Sequence, residues 1–300
     1  MSLSFCVLGS GSGGNSTLVI CGPPGDASVR KCFLVDCGLS PRATAKRMAP
    51  LGVTLDEISA ILLTHFDTDH FYPGWLKMIQ KRNLPVHAHK RHRNAAWAAG
   101  LTAREVSLFN GSLDLDCGVQ ASTMLMAHDD LGSVSFVLDH AGCRLGYATD
   151  VGCVPKSLFD HFSGLHALAI ESNYDREMQL ASGRPIYLKR RIMGGSGHLS
   201  NVQSLEAVRL IADASPLSHI ALLHLSRQCN DPDLVRELYL QYAPDLLDRL
   251  TITEQFEASP LLEVRKLPHV CAKTHRPALT QLIDPRPSSR PSPQLNLFAE

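Results

Sequence analysis

Four side chains able to bind a metal, His65, Asp67, Asp69 and His70, fall within one six-residue stretch. Imidazole nitrogen and carboxylate oxygen are the usual donors for Zn²⁺, Mn²⁺ or Fe²⁺. Alternate residues of an extended segment face one way, so His65, Asp67 and Asp69 share a side until the chain turns at His70. The four directly follow Thr64 and the apolar run Ile61-Leu62-Leu63, and the rigid end of a buried strand is a good platform for ligands. A merely solvated polar loop is the competing reading. Two histidines and two aspartates at this spacing favour a metal-binding segment over it.

The elements that must position these groups are legible as strands, then helices, then strands and helices again. Residues 3–8, 17–20, 32–35 and 60–63 read as strands, with residues 23–25 as a loop. The glycine-rich stretch Gly9-Ser10-Gly11-Ser12-Gly13-Gly14-Asn15 forms a tight turn after the first of them. Ser40-Pro41 caps a helix that ends near Gly52, and a second helix runs over residues 73–82. A strand at 86–88 and a helix from about Arg91 come next. Strands fill residues 119–147, with turns at 129–132 and 140–142. Residues 167–170 and 220–224 are further strands. Ser200 and Gln203 form a capping box opening a helix to about Asp213, and Asp231-Pro232 opens another. Two roughly equal halves of this kind predict an α+β fold, an αββα sandwich of two sheets with helices outside.

Hydrophobic residues are 44% of the chain and charged residues 19%, enough apolar material for a sizeable core. The formal net charge is zero, so a polyanionic substrate would have to meet a local basic patch or bound metal. Nine cysteines without a Cys-x-x-Cys pair fit reduced thiols better than a disulfide framework. The N-terminus lacks the pattern of a secretory signal, and no apolar run reaches the length of a membrane span. The expectation is a soluble, cytoplasmic protein with no membrane association. After about Lys266 the composition turns rich in Pro, Ser and Arg. That predicts a catalytic domain over residues 1–266 and a flexible tail over 267–300.

The His65–His70 spacing resembles the His-x-His-x-Asp-His motif of the metallo-β-lactamase superfamily. Further pieces follow in the family's order: Val35-Asp36-Cys37-Gly38, Ala127-His128-Asp129, Tyr147-Ala148-Thr149-Asp150 and Leu223-His224-Leu225-Ser226. Within the superfamily the chain is most similar to the YycJ (WalJ) family, whose members look like exonucleases related to tRNase Z and RNase J. The opening Gly-Ser-Gly-Ser-Gly-Gly-Asn-Ser, Glu171-Ser172-Asn173-Tyr174-Asp175, Ser196-Gly197-His198-Leu199-Ser200-Asn201 and the segment from His224 to Asn230 carry that resemblance. It implies two divalent ions, zinc or manganese, with iron a further option. His65, Asp67 and His128 would hold the first ion, Asp69, His70 and His224 the second, and Asp150 would bridge them. Asp67 stands where the family usually has a histidine. A harder ligand there predicts a shift toward Mn²⁺ or Fe²⁺, or weaker occupancy, at the first position.

Two metals can activate water and clamp phosphodiester oxygens without a serine or cysteine nucleophile. Ser10, Ser12 and Ser196 therefore read as turn residues. The expected catalytic set is Asp69, Asp150, His198 and Glu171. His198, beside a helix N-terminus, is suited to a phosphate or leaving group, and Glu171 to orienting it or a ligand. Lys189, Arg190 and Arg191, with Arg184 upstream, are candidates to meet substrate together with His198. Tyr174 and Tyr187 are candidates for base stacking. His87, His89 and His92 read as surface residues. His140, His161, His166, His219, His269 and His275 lack a partner motif. The preferred function is a DNA exonuclease of replication or repair. The alternatives are a thioester or small-ester hydrolase of the glyoxalase II type, an RNA-processing nuclease, and a non-catalytic binding module.

Gln294-Leu295-Asn296-Leu297-Phe298 restores apolar character two residues from the end of the tail. It resembles the pentapeptide that docks on the bacterial DNA polymerase sliding clamp, with Gln294, Leu295, Leu297 and Phe298 as anchors. A tether to a clamp riding on DNA would favour DNA over RNA as substrate. Deleting residues 294–298 is expected to abolish clamp binding in a pull-down while sparing activity on short oligonucleotides. Unchanged clamp affinity after the deletion would end this reading.

Overall fold

Strands covered on both faces read as near-continuous apolar runs. β1 (Leu3–Gly9) is buried at every position. The computed structural model describes residues 2–23 and 29–268. The first sheet contains β1, β2 (Ser16–Cys21), β3 (Lys31–Val35), β4 (Ile58–Leu62), β5 (Val86–His89) and β6 (Val106–Phe109). The second contains β7 (Ser112–Leu115), β8 (Val119–Met126), β9 (Ser133–His140), β10 (Cys143–Ala148), β11 (Ala167–Glu171), β12 (His219–Leu223) and β13 (Leu250–Ile252). A last strand, β14 (Leu262–Glu263), returns to pair with β1, so each sheet has seven strands among the described residues.

Alternation along each strand sorts its side chains between two cores. Leu3, Phe5, Val7, Val19, Phe33 and Leu62 meet Val134, Phe136, Leu138, Tyr147 and Leu223 between the sheets. The intervening Cys6, Leu8, Leu18, Leu34 and Ile61 face helices α1 (Pro41–Met48), α2 (Leu76–Arg82) and α3 (Arg93–Ala98). On the far side, Leu168, Ile170, Ile220 and Leu222 pack against α4 (Lys156–His161), α7 (Asn201–Asp213) and α8 (Pro232–Tyr242). The layers are helix, sheet, sheet, helix, the αββα order read from the sequence. α7 carries the expected capping box of Ser200 and Gln203, and Ser40 caps α1 by accepting from the Ala43 amide.

Direction matters for the site. β3, β4, β5 and β6 are mutually parallel, and so are β10, β11, β12 and β13. β1 runs with β3, and β8 with β10, because each is two antiparallel steps away. The loops after β1, β3, β4, β8, β10, β11 and β12 therefore leave at strand carboxyl ends, where open α/β sheets place their ligands.

Several elements lie outside the sequence expectations. α5 (Arg176–Ala181) and α6 (Ile186–Ile192) carry almost no buried apolar residues and so no stripe to read. β7 buries only Leu115. His89 and His92 are corrected from surface to interior. His92 is 1% exposed, and its Nε2 donates to the Gly132 carbonyl at 2.8 Å. Tyr174 is also buried, which removes it as a base-stacking platform, whereas Tyr187 is 71% exposed. The eight cysteines among the described residues are free thiols. No helix among those residues is long and apolar enough to cross a membrane. The expected loop at 23–25 falls mostly outside the described residues, and residues 294–298, His269 and His275 fall wholly outside them.

Phe136 is fully buried between the sheets. Phe136→Ala is expected to lower unfolding stability by about 3–5 kcal/mol in urea titration. A loss below about 1 kcal/mol would mean that the two sheets close over the gap.

Candidate metal centre

The site is assembled from strand ends. Asp36 follows β3, the 64–70 loop follows β4, His128 follows β8, Asp150 follows β10, Glu171 ends β11 and His224 follows β12. Four residues at these ends take left-handed backbone: Asp36 (φ 60°), Asp129 (φ 39°), Asp150 (φ 53°) and His224 (φ 56°). Such conformations cost roughly 1–3 kcal/mol each and persist where the surroundings over-determine them.

The structure brings the predicted ligands together. His65, Asp67 and His128 offer donor atoms that all lie within 4.8 Å of one another, as do His65, His70 and Asp150. Asp150 reaches both sides: its Oδ2 is 2.9 Å from His70 Nε2 and its Oδ1 2.9 Å from His224 Nδ1. Asp69 Oδ2 lies 3.7 Å from His70 Nε2 and 3.6 Å from His224 Nε2, between the two imidazoles. A further set, Asp150, Glu171, His198 and His224, meets the same 4.8 Å limit. Glu171 and His198 thus stand closer to the cluster than the sequence implied.

The donor set fits a cation. His65 Nε2 and His224 Nδ1 are buried without a hydrogen-bond partner. Although His224 Nδ1 is near Asp150 Oδ1, the two are not aligned for a hydrogen bond. Buried orphan imidazole nitrogens facing carboxylates are what a divalent ion satisfies.

Partners on the far side of three of the rings turn the other nitrogen of each toward the cluster. His70 Nδ1 pairs with Asp36 Oδ2 at 2.8 Å, His128 Nδ1 with the Gly197 carbonyl at 3.0 Å, and His65 Nδ1 with Thr64 Oγ1 at 3.0 Å. Asp36 also accepts from the Thr64 amide at 2.9 Å and from its hydroxyl. Asn15 donates to Asp69 Oδ2 at 3.3 Å, and Ser10 Oγ accepts from the His224 amide at 2.8 Å. The sequence reading missed Asp36, Asn15 and Ser10 as supports. The signal was present in the opening Gly-Ser-Gly-Ser-Gly-Gly-Asn-Ser and Val-Asp-Cys-Gly motifs, but only the fold carries them to the ligands.

Electrostatics follow from burial around a charge cluster. Burial and the neighbouring His70 hold His65 well below its ordinary value, the neutral form that ligates. Burial alone would lower His70, but Asp150 and Asp36 outweigh it and raise the ring well above its usual range. Burial would raise Asp150, but His224 and His70 overcome it and hold the carboxyl well below the carboxylate range. The two carboxylates flanking His70 demand positive charge between them. A proton on the ring supplies it in the protein alone, and a bound cation would displace that proton.

His198 Nδ1 donates to Glu171 Oε1 at 2.7 Å, and Glu171 Oε2 accepts from the Val151 and Leu199 amides at 2.9 and 3.0 Å. Burial would lower His198, but Glu171, Asp150 and Asp69 push it up to about 9. His198 lines a cleft of about 430 Å³ with Asp67, Asp69, Asp150 and His224. The basic run fares differently. Arg191, with Leu188 and Ile192 on one face of α6, lines the cleft, but its guanidinium is paired with Asp129. Lys189 donates to the Leu180 carbonyl at 2.5 Å, and neither it nor Arg190 lines the cleft. Three consecutive helical residues point about 100° apart, so the run could not present one face.

Asp36→Asn keeps a residue that tolerates left-handed backbone but places an amide against three donors. It is expected to weaken divalent-metal affinity about 10–100-fold in competition with a chromogenic chelator. Unchanged affinity would remove Asp36 from the site.

Residues 31–222 match the family described as the beta-lactamase superfamily domain. Exodeoxyribonuclease YycJ of Bacillus anthracis is 30% identical over 240 residues, covering 79% of this chain and 87% of the relative. Exodeoxyribonuclease WalJ of Streptococcus pneumoniae serotype 2 is 24% identical over 240 residues, covering 78% and 86%. The crystal structure of the metallo-β-lactamase-fold protein YhfI from Bacillus subtilis superposes with a TM-score of 0.63 at 14% identity, covering 86% of this chain and 99% of that one. The arrangement of strand-end ligands and these similarities agree, and the chain is a hydrolase of the beta-lactamase superfamily, belonging within it to the YycJ and WalJ family.

Proposed function

We propose that this hydrolase is a DNA exonuclease that cleaves phosphodiesters at two divalent ions, acting in replication or repair. The observation that carries the reading is the Glu171–His198 pair. A buried carboxylate fixes an imidazole at the cleft wall, its Nδ1 3.6 Å from Asp150 Oδ1. Relatives named exodeoxyribonucleases support the choice of polymer.

In this reading His65, Asp67 and His128 would hold one ion and Asp69, His70 and His224 the other, with Asp150 as a ligand candidate for both. Bound there, divalent ions would supply water activation and charge neutralisation at a phosphodiester. Asp36, Thr64 and the Gly197 carbonyl set the tautomers of the ligating rings. With Nδ1 committed to Glu171, His198 offers Nε2 to a phosphate oxygen or the leaving oxygen. Asp67, a carboxylate where the family carries imidazole, biases its position toward Mn²⁺ or Fe²⁺. We also propose that residues 1–266 are the catalytic unit and that 267–300 form a tail whose Gln294, Leu295, Leu297 and Phe298 dock on the sliding clamp.

End-labelled DNA and RNA, incubated with metal-stripped protein to which Mn²⁺ is restored, test the reading. The expected result is metal-dependent degradation of DNA that Asp150→Ala abolishes. Cleavage of RNA alone would move the protein to RNA processing. No cleavage of either polymer by metal-loaded protein would favour a small-ester or thioester hydrolase.

A further inference from the structure

Among the described residues, two arginines and no lysine line the cleft beside the candidate ligand cluster, and their situations differ. Arg191 makes a two-pronged ion pair with Asp129, so its charge is already met. Arg184 stands in the turn between α5 and α6. Its partners are neutral oxygens: Gln179 Oε1 at 3.2 Å, Gln228 Oε1 at 3.2 and 3.4 Å, and Ser226 Oγ at 3.5 Å. These contacts exceed the usual N–H···O spacing of roughly 2.9–3.0 Å, so they aim the guanidinium without saturating it. Gln179 is wholly buried, which fixes the side from which Arg184 is held.

The charge balance of the cleft makes this cation informative. Asp67, Asp69, Asp129 and Asp150 line it, and Asp129 is spent on Arg191. The other three belong to the proposed ligand set. A polyanion entering such a cleft needs a fixed positive group beyond the metals, and an arginine whose fork is not met by carboxylate suits a phosphate. An arginine serving only to brace the α5–α6 turn would be expected to pair with a carboxylate, as Arg191 does.

We propose that Arg184 binds a backbone phosphate of the substrate strand, next to the one presented to His198 and the ligand cluster. This rests on the nuclease reading and adds a residue to it. Because the contact is to phosphate rather than to a base, it contributes affinity and register without sequence preference.

The test is fluorescence anisotropy of a labelled single-stranded DNA oligonucleotide with full-length Asp150→Ala protein across a salt series. The same protein carrying Arg184→Gln is compared. The expected result is a Kd raised about tenfold or more, from loss of a charge-assisted contact. The slope of log affinity against log salt should fall by about one. Arg184→Lys should keep the slope and recover part of the affinity, which separates lost charge from disturbed folding. An unchanged Kd, or a weaker Kd with an unchanged slope, would overturn the proposal. So would the absence of DNA binding by the parent protein. Cleavage of DNA by the wild type combined with unaltered binding by Arg184→Gln would sink Arg184 alone. The expected losses combined with no cleavage by the wild type would keep the phosphate site and sink the nuclease reading.

Discussion

The buried carboxylate of Asp150 is the interaction on which the site depends. It lies 2.9 Å from an imidazole of the loop after β4 in the first sheet and 2.9 Å from one after β12 in the second. A charged group with 2% exposure costs several kcal/mol unless opposite charge surrounds it. Here the compensation comes from both sheets at once. Asp150 is therefore a joint as well as a ligand candidate: the carboxylate is tolerated only if the two halves of the sandwich are in register.

That register is enforced by unusual backbone. Left-handed residues at Asp36, Asp150 and His224 turn the chain sharply at the ends of β3, β10 and β12, so each side chain aims back across the rim. The glycine-rich loop completes the frame. A Cβ on Gly38 would sit 1.8 Å from the Asp69 carbonyl, so only glycine allows that approach. Asn15 then joins both neighbours, accepting from the Gly38 amide at 2.8 Å and donating its own amide to Asp69 at 2.7 Å. From the other end of the described chain, Gln255 accepts from the Gly13 amide at 2.6 Å and donates to the Gly14 carbonyl at 2.9 Å. The strain held here is small beside the apolar burial of three clusters, which keeps the sheets from relaxing it.

Around this rigid floor the cleft has a second wall of different character. α5, α6 and the 194–198 turn bring Arg184, Arg191 and His198 to the cleft that the candidate ligands line. Short helices with little buried surface form this wall, and they sit on a scaffold whose strands fix the candidate ligands. The candidate ligands thus stand on the most constrained part of the molecule, and the facing wall on a part held by little buried surface. His198 belongs to both, because Glu171, at the end of β11, anchors it from beneath.

Local spacing was enough to single out the candidate ligand segment, since His65 to His70 fall within one loop behind an apolar strand. Long, strongly patterned elements were equally legible: β1 to β4, β8 to β12 and the capped helices α1, α7 and α8, because periodicity and caps are local properties. The resemblance to a known family extended this to His128, Asp150, His198 and His224, which no local pattern links. Tertiary structure alone decided what surrounds them. It turned the 36–38 and 10–15 segments into supports, took His92 and Tyr174 into the interior, and divided the basic run so that only Arg191 reaches the cleft, already neutralised by Asp129. The physical reason is that hydrogen bonding, burial and charge compensation are set by groups far apart in sequence, which meet only when the strand ends converge.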